Sequence, residues 1–148
     1  IQGNLMSNEY ISDVVFDIIH SYRIAMRSAL NASNLGLNYM HVRCLTFINS
    51  NEVCTANDIV SYFARDKAQI ARLIKEMIDK QWLTKTINLE DKRSQFLSLT
   101  EEGKRLVAFI LKTQANVHKQ MQKDISSQAL ENFQQTAEAM ATNLKMFK

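Results

Sequence analysis

The chain has 148 residues, 46% apolar and 22% charged, with 18 Lys and Arg against 15 Asp and Glu, enough length to bury one core but short for two. Its longest uninterrupted apolar run, Leu106 to Leu111, cannot cross a bilayer. No secretory-signal pattern is read, and two cysteines allow at most one bridge, so a cytoplasmic, reducing setting without a membrane partner is expected. Three glycines and no proline supply few tight turns, which disfavours an all-β barrel or sandwich and favours a mainly α chain.

The net charge of +3 says less than its distribution. Residues 1–52 carry 3 basic and 4 acidic side chains, residues 53–100 carry 8 and 6, and residues 101–148 carry 7 and 5. Ile1 to Leu5 read as a cloning remnant ahead of a start at Met6, leaving 6–148 as one expected domain.

Ile11, Val14, Val15, Ile18, Ile19, Tyr22, Met26, Ala29 and Leu30 recur at helical spacing, which predicts a helix from about Asn8 to Ala32, ending near Gly36. At ~1.5 Å per residue it would be roughly 35–40 Å long, more apolar stripe than so short a chain can cover by itself. Asn38 is the expected cap of a second helix with Met40, Cys44, Leu45 and Ile48 inward. Thr55 is placed to cap a third helix carrying Ile59, Val60 and Phe63, with Asp58 in its first turn. Asp66-Lys67-Ala68-Gln69 reads as a capping box, opening a helix that buries Ile70, Leu73, Ile74, Met77 and Ile78.

Leu83 to Ile87 and Gln95 to Leu99 then alternate with period two, separated by the seven residues Asn88 to Ser94, which predicts an antiparallel β-ribbon with a charged tip. Thr100-Glu101-Glu102 caps a long helix bearing Leu106, Val107, Phe109, Ile110, Val117 and Met121. A final helix starts near Ser126 and carries Leu130, Phe133, Ala137, Met140, Leu144 and Phe147, with Ala137, Ala139 and Ala141 small enough for close helix packing.

Two short helices joined by Phe63-Ala64-Arg65 and followed by a ribbon spell a winged helix-turn-helix. The second helix would offer Lys67, Ala68, Gln69, Ala71, Arg72 and Lys75 to a DNA major groove. Gln can pair with adenine, Arg with guanine, Lys with phosphate or guanine, and the alanines allow close approach. The same face is also what a solvated amphipathic helix would show.

Here the chain resembles the multiple-antibiotic-resistance regulator (MarR) family of transcription factors. The resemblance rests on Asp66-Lys67-Ala68-Gln69-Ile70-Ala71-Arg72-Leu73-Ile74 and on Asp91-Lys92-Arg93 followed by Leu97-Ser98-Leu99-Thr100-Glu101-Glu102-Gly103, the family's D-x-R and L-x-L-T-x-x-G in register. Ala64 and Gln81 stand where the family often has glycine. The resemblance implies a winged head over 38–103 with Asp91, Lys92 and Arg93 at the wing, Arg93 entering the minor groove and Asp91 orienting it. It implies that the helices of 8–36 and 104–148 form a homodimer over a pseudo-palindromic double-stranded DNA operator, with half-sites about 10 bp apart or a multiple. It further implies a repressor released by a small aromatic or phenolic effector. Tyr22, Met26, Met40, Arg43 and Phe47 are the candidate lining residues, each equally readable as core or interface.

Two other readings stand beside this one. One is a cysteine-based redox regulator: Cys54 is expected to be the accessible thiol and Cys44 a buried one, though no flanking histidine or basic residue adjoins Cys54 to lower its pKa. A winged-helix protein-interaction module would keep the fold without specific DNA binding. Catalysis is not expected, because His20, His41 and His118 have no metal-ligand spacing and no phosphate loop or nucleophile elbow appears. No metal or cofactor is expected.

Overall fold

The structure, a computed structural model, describes residues 8–91 and 93–147. The proposed remnant, Ile1 to Leu5, and the wing residue Lys92 therefore lie outside the described residues. In chain order the elements are α1 (Asn8–Leu30), α2 (Ala32–Leu35), α3 (Tyr39–Ser50), α4 (Ala56–Phe63), α5 (Lys67–Asp79), β1 (Leu83–Ile87), β2 (Gln95–Leu99), α6 (Glu101–Met121) and α7 (Ser127–Lys145). The chain forms two compact units, residues 1–114 and 115–148. No helix among the described residues is long and apolar enough to cross a membrane.

In the first unit the long helix ends at Leu30, two residues before the expected Ala32: Asn31 turns left-handed at φ 52°, and α2 then ends on Gly36 at φ 70°. Asn38 caps α3 as expected, its side chain accepting the His41 N–H at 2.8 Å, and the His41 ring returns the favour to the Asn38 N–H. Thr55 and Asp58 form a reciprocal box on α4. The box expected at α5 does not form: Asp66 sits at the cap, but its side chain makes no capping hydrogen bond.

The core of this unit joins Leu30 and Met26 of α1, Cys44, Leu45 and Ile48 of α3, Ile59 of α4, and Ile70, Ile74 and Met77 of α5 to Leu83, Leu97, Val107 and Ile110. Met40, expected inward, is only half-buried, whereas its neighbours His41 and Val42 are buried. The ribbon has the expected register, Leu83 opposite Leu99 and Ile87 opposite Gln95. Thr55 adds an isolated antiparallel bridge to Phe96, and the Leu97 N–H donates to the Cys54 carbonyl at 2.8 Å. That short third edge was not visible in the sequence, because two residues are too few to show alternation.

Thr100 and Gly103 have a shared physical role at the ribbon base. Thr100 N–H donates to the Trp82 carbonyl at 3.0 Å, and its hydroxyl accepts the Gly103 N–H at 2.9 Å to cap α6. A Cβ on Gly103 would collide with the Trp82 carbonyl oxygen. The T-x-x-G spacing thus clamps the start of α6 to the Gln81-Trp82 turn between α5 and β1.

In the second unit, the end of α6 leads through Asp124, left-handed at φ 61°, to α7, capped by Ser126 accepting the Ala129 N–H at 3.1 Å. No residue of α7 is fully buried; Phe133, Met140 and Leu144 are exposed.

Candidate nucleic-acid interface

The amphipathic period of α5 separates its two faces cleanly. Ile70, Ile74 and Met77 are buried, and Lys67, Ala68, Gln69, Ala71, Arg72 and Lys75 are all exposed. The helix ends in a Schellman turn: Gln81 N–H donates to Ile78 at 2.9 Å and Trp82 N–H to Met77 at 3.0 Å, with Gln81 left-handed at φ 66°. His41 fixes the far side of α5. It is 3% exposed, its Nδ1 accepts the Asn38 N–H at 3.1 Å, and its Nε2 lies 3.0 Å from Glu76 Oε2. With Nδ1 an acceptor, the neutral ring must carry its proton on Nε2 and donate to Glu76. The ring edge also meets Trp82 at 5.6 Å between centroids. No sequence signal pointed to His41, since its partners lie on other elements.

The wing tip is shaped by two side chains. Asn88 Oδ1 accepts the Glu90 N–H at 3.0 Å, and Asp91 Oδ1 accepts the Arg93 N–H at 3.1 Å while lying 3.6 Å from Arg93 Nε. The Arg93 side chain is 95% exposed and that of Asp91 50%. A pair so open to water does little for stability; its geometric effect is to hold the guanidinium at the tip. Arg93 lines one concavity with Lys67 and Ala71, which places the wing tip beside the exposed face of α5.

A larger cavity, about 730 Å³, lies among α1, α2, α3 and Gln114. Of the five expected lining residues it contains Tyr22, Met26 and Arg43. Met40 and Phe47 are elsewhere: Met40 borders a separate cleft with Arg65, Gln69 and Arg72, and Phe47 stacks on Tyr62 and Phe63 at 4.5 and 5.9 Å. The reason is helical. The cavity face of α3 is Tyr39, Val42, Arg43 and Thr46, and Met40 and Phe47 each follow a cavity residue by one step, about 100° around the axis.

Sequence reasoning missed Arg23, Arg27 and Tyr39. Arg23 lies 4.2 Å over the Tyr39 ring, and Arg43 Nη1 donates to the Tyr39 hydroxyl at 3.0 Å. Burial pushes the Tyr39 phenol up, but the Arg43 and Arg23 guanidiniums outweigh it and hold the group below its ordinary value. No carboxylate lines this cavity, so its chemistry suits an anion with an apolar body. Among the described residues no group of three His, Cys, Asp or Glu could hold a metal ion.

A MarR family model matches residues 35–94, from the end of α2 through the wing tip. Over these residues the chain is similar to the MarR family. It is 28% identical over 100 residues to the HTH-type transcriptional regulator PetP of Rhodobacter capsulatus, a match covering 68% of this chain and 60% of that protein. The chain thus spans less than two thirds of the curated relative it matches.

The fold agrees with solved MarR structures at low identity. A MarR regulator from Methanosarcina mazei superposes with TM-score 0.79 at 18% identity, covering 95% of this chain and 100% of that one. The S. aureus MepR–DNA complex gives 0.79 at 15%, covering 93% and 98%. A mutant MarR from E. coli complexed with operator DNA gives 0.78 at 16%, covering 91% and 97%. Identities this low carry the fold alone.

Where the chain departs from the MarR pattern, the backbone keeps the glycine conformation. Ala64 is left-handed at φ 50° and Gln81 at φ 66°, each at a cost of about 1 kcal/mol for a residue with a Cβ. The accessibility expected of Cys54 is corrected: both Cys44 and Cys54 are fully buried. Burial pushes their thiols up to about 12 and about 11 respectively, so neither offers a thiolate near neutral pH.

Proposed function

We propose that this protein is a homodimeric, sequence-specific DNA-binding transcriptional regulator, a repressor released by a small aromatic or phenolic ligand. In this reading α5 lies in the major groove and presents Lys67, Ala68, Gln69, Ala71, Arg72 and Lys75, while Arg93, oriented by Asp91, enters the adjacent minor groove. Lys92 belongs to the same wing by sequence.

The observation that carries the reading is the wing tip. An arginine that stabilises little is held almost fully in water, beside an exposed helix face that carries Lys67, Gln69, Arg72 and Lys75. The MarR-family match over this segment supports it, as does the likeness to the E. coli MarR mutant and S. aureus MepR, both solved with DNA. An effector would act from the cavity walled by Tyr22, Met26 and Arg43, with Met40 and Phe47 outside its lining. Differential affinity for two spacings of the heads is all such release requires.

The test is a salt-dependent mobility-shift titration on the DNA flanking this protein's own coding region, with Arg93→Ala beside the parent. Expected are selective binding by a dimer, weakened by aromatic acids such as benzoate, and a loss of at least tenfold in Arg93→Ala with the dimer intact. Undiminished affinity in that variant sinks the wing assignment. Equal binding to every sequence would favour a general DNA-coating role over a regulatory one.

A further inference from the structure

The concavity that Arg93 shares with α5 extends from the wing tip along the groove between α5 and the ribbon, to residues that neither motif contains. A concavity of about 240 Å³ is lined by Thr55, Ala56 and Asn57 at the start of α4, Lys67 and Ala71 of α5, Lys85 of β1, and Arg93, Ser94 and Gln95 of the wing. Its cations come from three separate elements, no carboxylate lines it, and Lys67 and Lys85 have no ion-pair partner among the described residues. Asp58, the nearest acid in sequence on α4, is spent on the Thr55 capping box.

Lys85 has an unusual position. It occupies the same face of β1 as buried Leu83, opposite Leu97, yet it is exposed. On that face an aliphatic residue would extend the core. A lysine there can rest its methylene stem on apolar neighbours such as Ile74 and Leu97, which line the same concavity, and keep its ammonium in water. Arg93 already faces the Asp91 carboxylate, but Lys67 and Lys85 have no such partner among the described residues, and an anion placed between these two like charges relieves their repulsion. Asn57, Ser94 and Gln95 add neutral side chains that can donate hydrogen bonds to phosphate oxygens.

We propose that this hollow is a seat for one backbone phosphate of the bound duplex, with Lys85 and Asn57 as phosphate-contacting residues that fix how deeply α5 and the wing enter their grooves. The seat rests on the DNA-binding reading above and adds two residues that neither the recognition helix nor the wing motif contains. A phosphate contact positions the protein without reading sequence, so Lys85 sets affinity and register while the α5 face and Arg93 set specificity.

Fluorescence anisotropy tests this with two duplexes, the flanking DNA of the coding region and a shuffled duplex of the same composition, between about 50 and 200 mM salt. Lys85→Gln is expected to weaken both by a similar factor, roughly tenfold, and to flatten the slope of log K against log salt by about 0.9. The ratio of the two affinities stays as in the parent. Asn57→Asp, which puts a carboxylate into the seat, loses affinity on both duplexes as well. Circular dichroism and thermal melts verify that these exposed-site variants fold.

Lys112→Gln, an exposed lysine on α6 outside the hollow, should leave the slope nearly unchanged. A Lys85→Gln protein with parental affinity and slope, or a loss matched by Lys112→Gln, overturns the seat while leaving DNA binding intact. A changed ratio between the duplexes makes Lys85 a base reader and also overturns it. If the parent binds neither duplex, the seat and the DNA reading fall together.

Discussion

Cys54 is buried by a backbone hydrogen bond, not by its own side-chain pattern. Its carbonyl accepts the Leu97 N–H of β2, which ties this stretch of backbone to the ribbon, and the residue is fully buried. Two thiols whose folded pKa values, about 12 and about 11, lie above the ordinary 9.0 make a specific prediction. The unfolded chain loses these protons first, so they contribute stability that is fully present below pH 9 and is lost as pH rises through the folded values. Urea melts of Cys44→Ala/Cys54→Ala and parent should therefore show the parent losing more stability between pH 9 and 11. Both thiols of the folded parent should also resist an aromatic disulfide reagent at pH 7.5. Rapid reaction of either one would revive the redox reading.

The helix caps separate what a short sequence box can and cannot specify. Thr55-x-x-Asp58 closes reciprocally, whereas Asp66-x-x-Gln69 leaves the Asp66 side chain without a capping bond. Thr55→Ala should thus cost about 1 kcal/mol of unfolding free energy, the usual worth of a cap, and Asp66→Ala a few tenths at most. Thermal and urea melts of the two variants decide this, and equal losses would contradict the geometry. At this scale much was legible: both strand limits and the seven-residue tip fall where the periodicities put them, and of the expected inward stripe of α5 Ile70, Ile74 and Met77 are buried while Leu73 and Ile78 are half-buried. The face of α3 was not, since Met40 and Phe47 differ from true cavity residues by one step around a helix whose neighbours set which side is which. The Schellman turn that tolerates Gln81 also needs atoms from both sides of the helix end.

The first unit leaves a long apolar stripe in water. Tyr10, Ile11, Val14, Val15, Phe16, Ile18, Ile19 and Ile24 of α1 are all exposed, Phe16 at 69%, and a concentration of exposed apolar side chains on one helix marks an interaction surface. The proposed dimer would cover it. At about 25 cal/mol per Å² of apolar area removed from water, covering such side chains is worth several kcal/mol before the cost of association. Val14→Asp/Phe16→Asp should convert a dimer to a monomer in light scattering and lose tight operator binding, since one head alone would contact one half-site. A double variant that stays dimeric would place the interface elsewhere.

The sequence by itself determined what depends on neighbours along the chain. Apolar period, cap residues and the L-x-L-T-x-x-G register specify helices, ribbon and the order of the winged head, because each is written within a few turns or one strand pair. Tertiary structure decided what depends on residues far apart in the chain. It buried Cys54 under β2, tied His41 of α3 to Glu76 of α5, gathered Arg23, Tyr39 and Arg43 around one cavity, and brought Lys67, Lys85 and Arg93 to one hollow. Burial and electrostatic environment are sums over spatial neighbours, and only the folded chain fixes which neighbours those are.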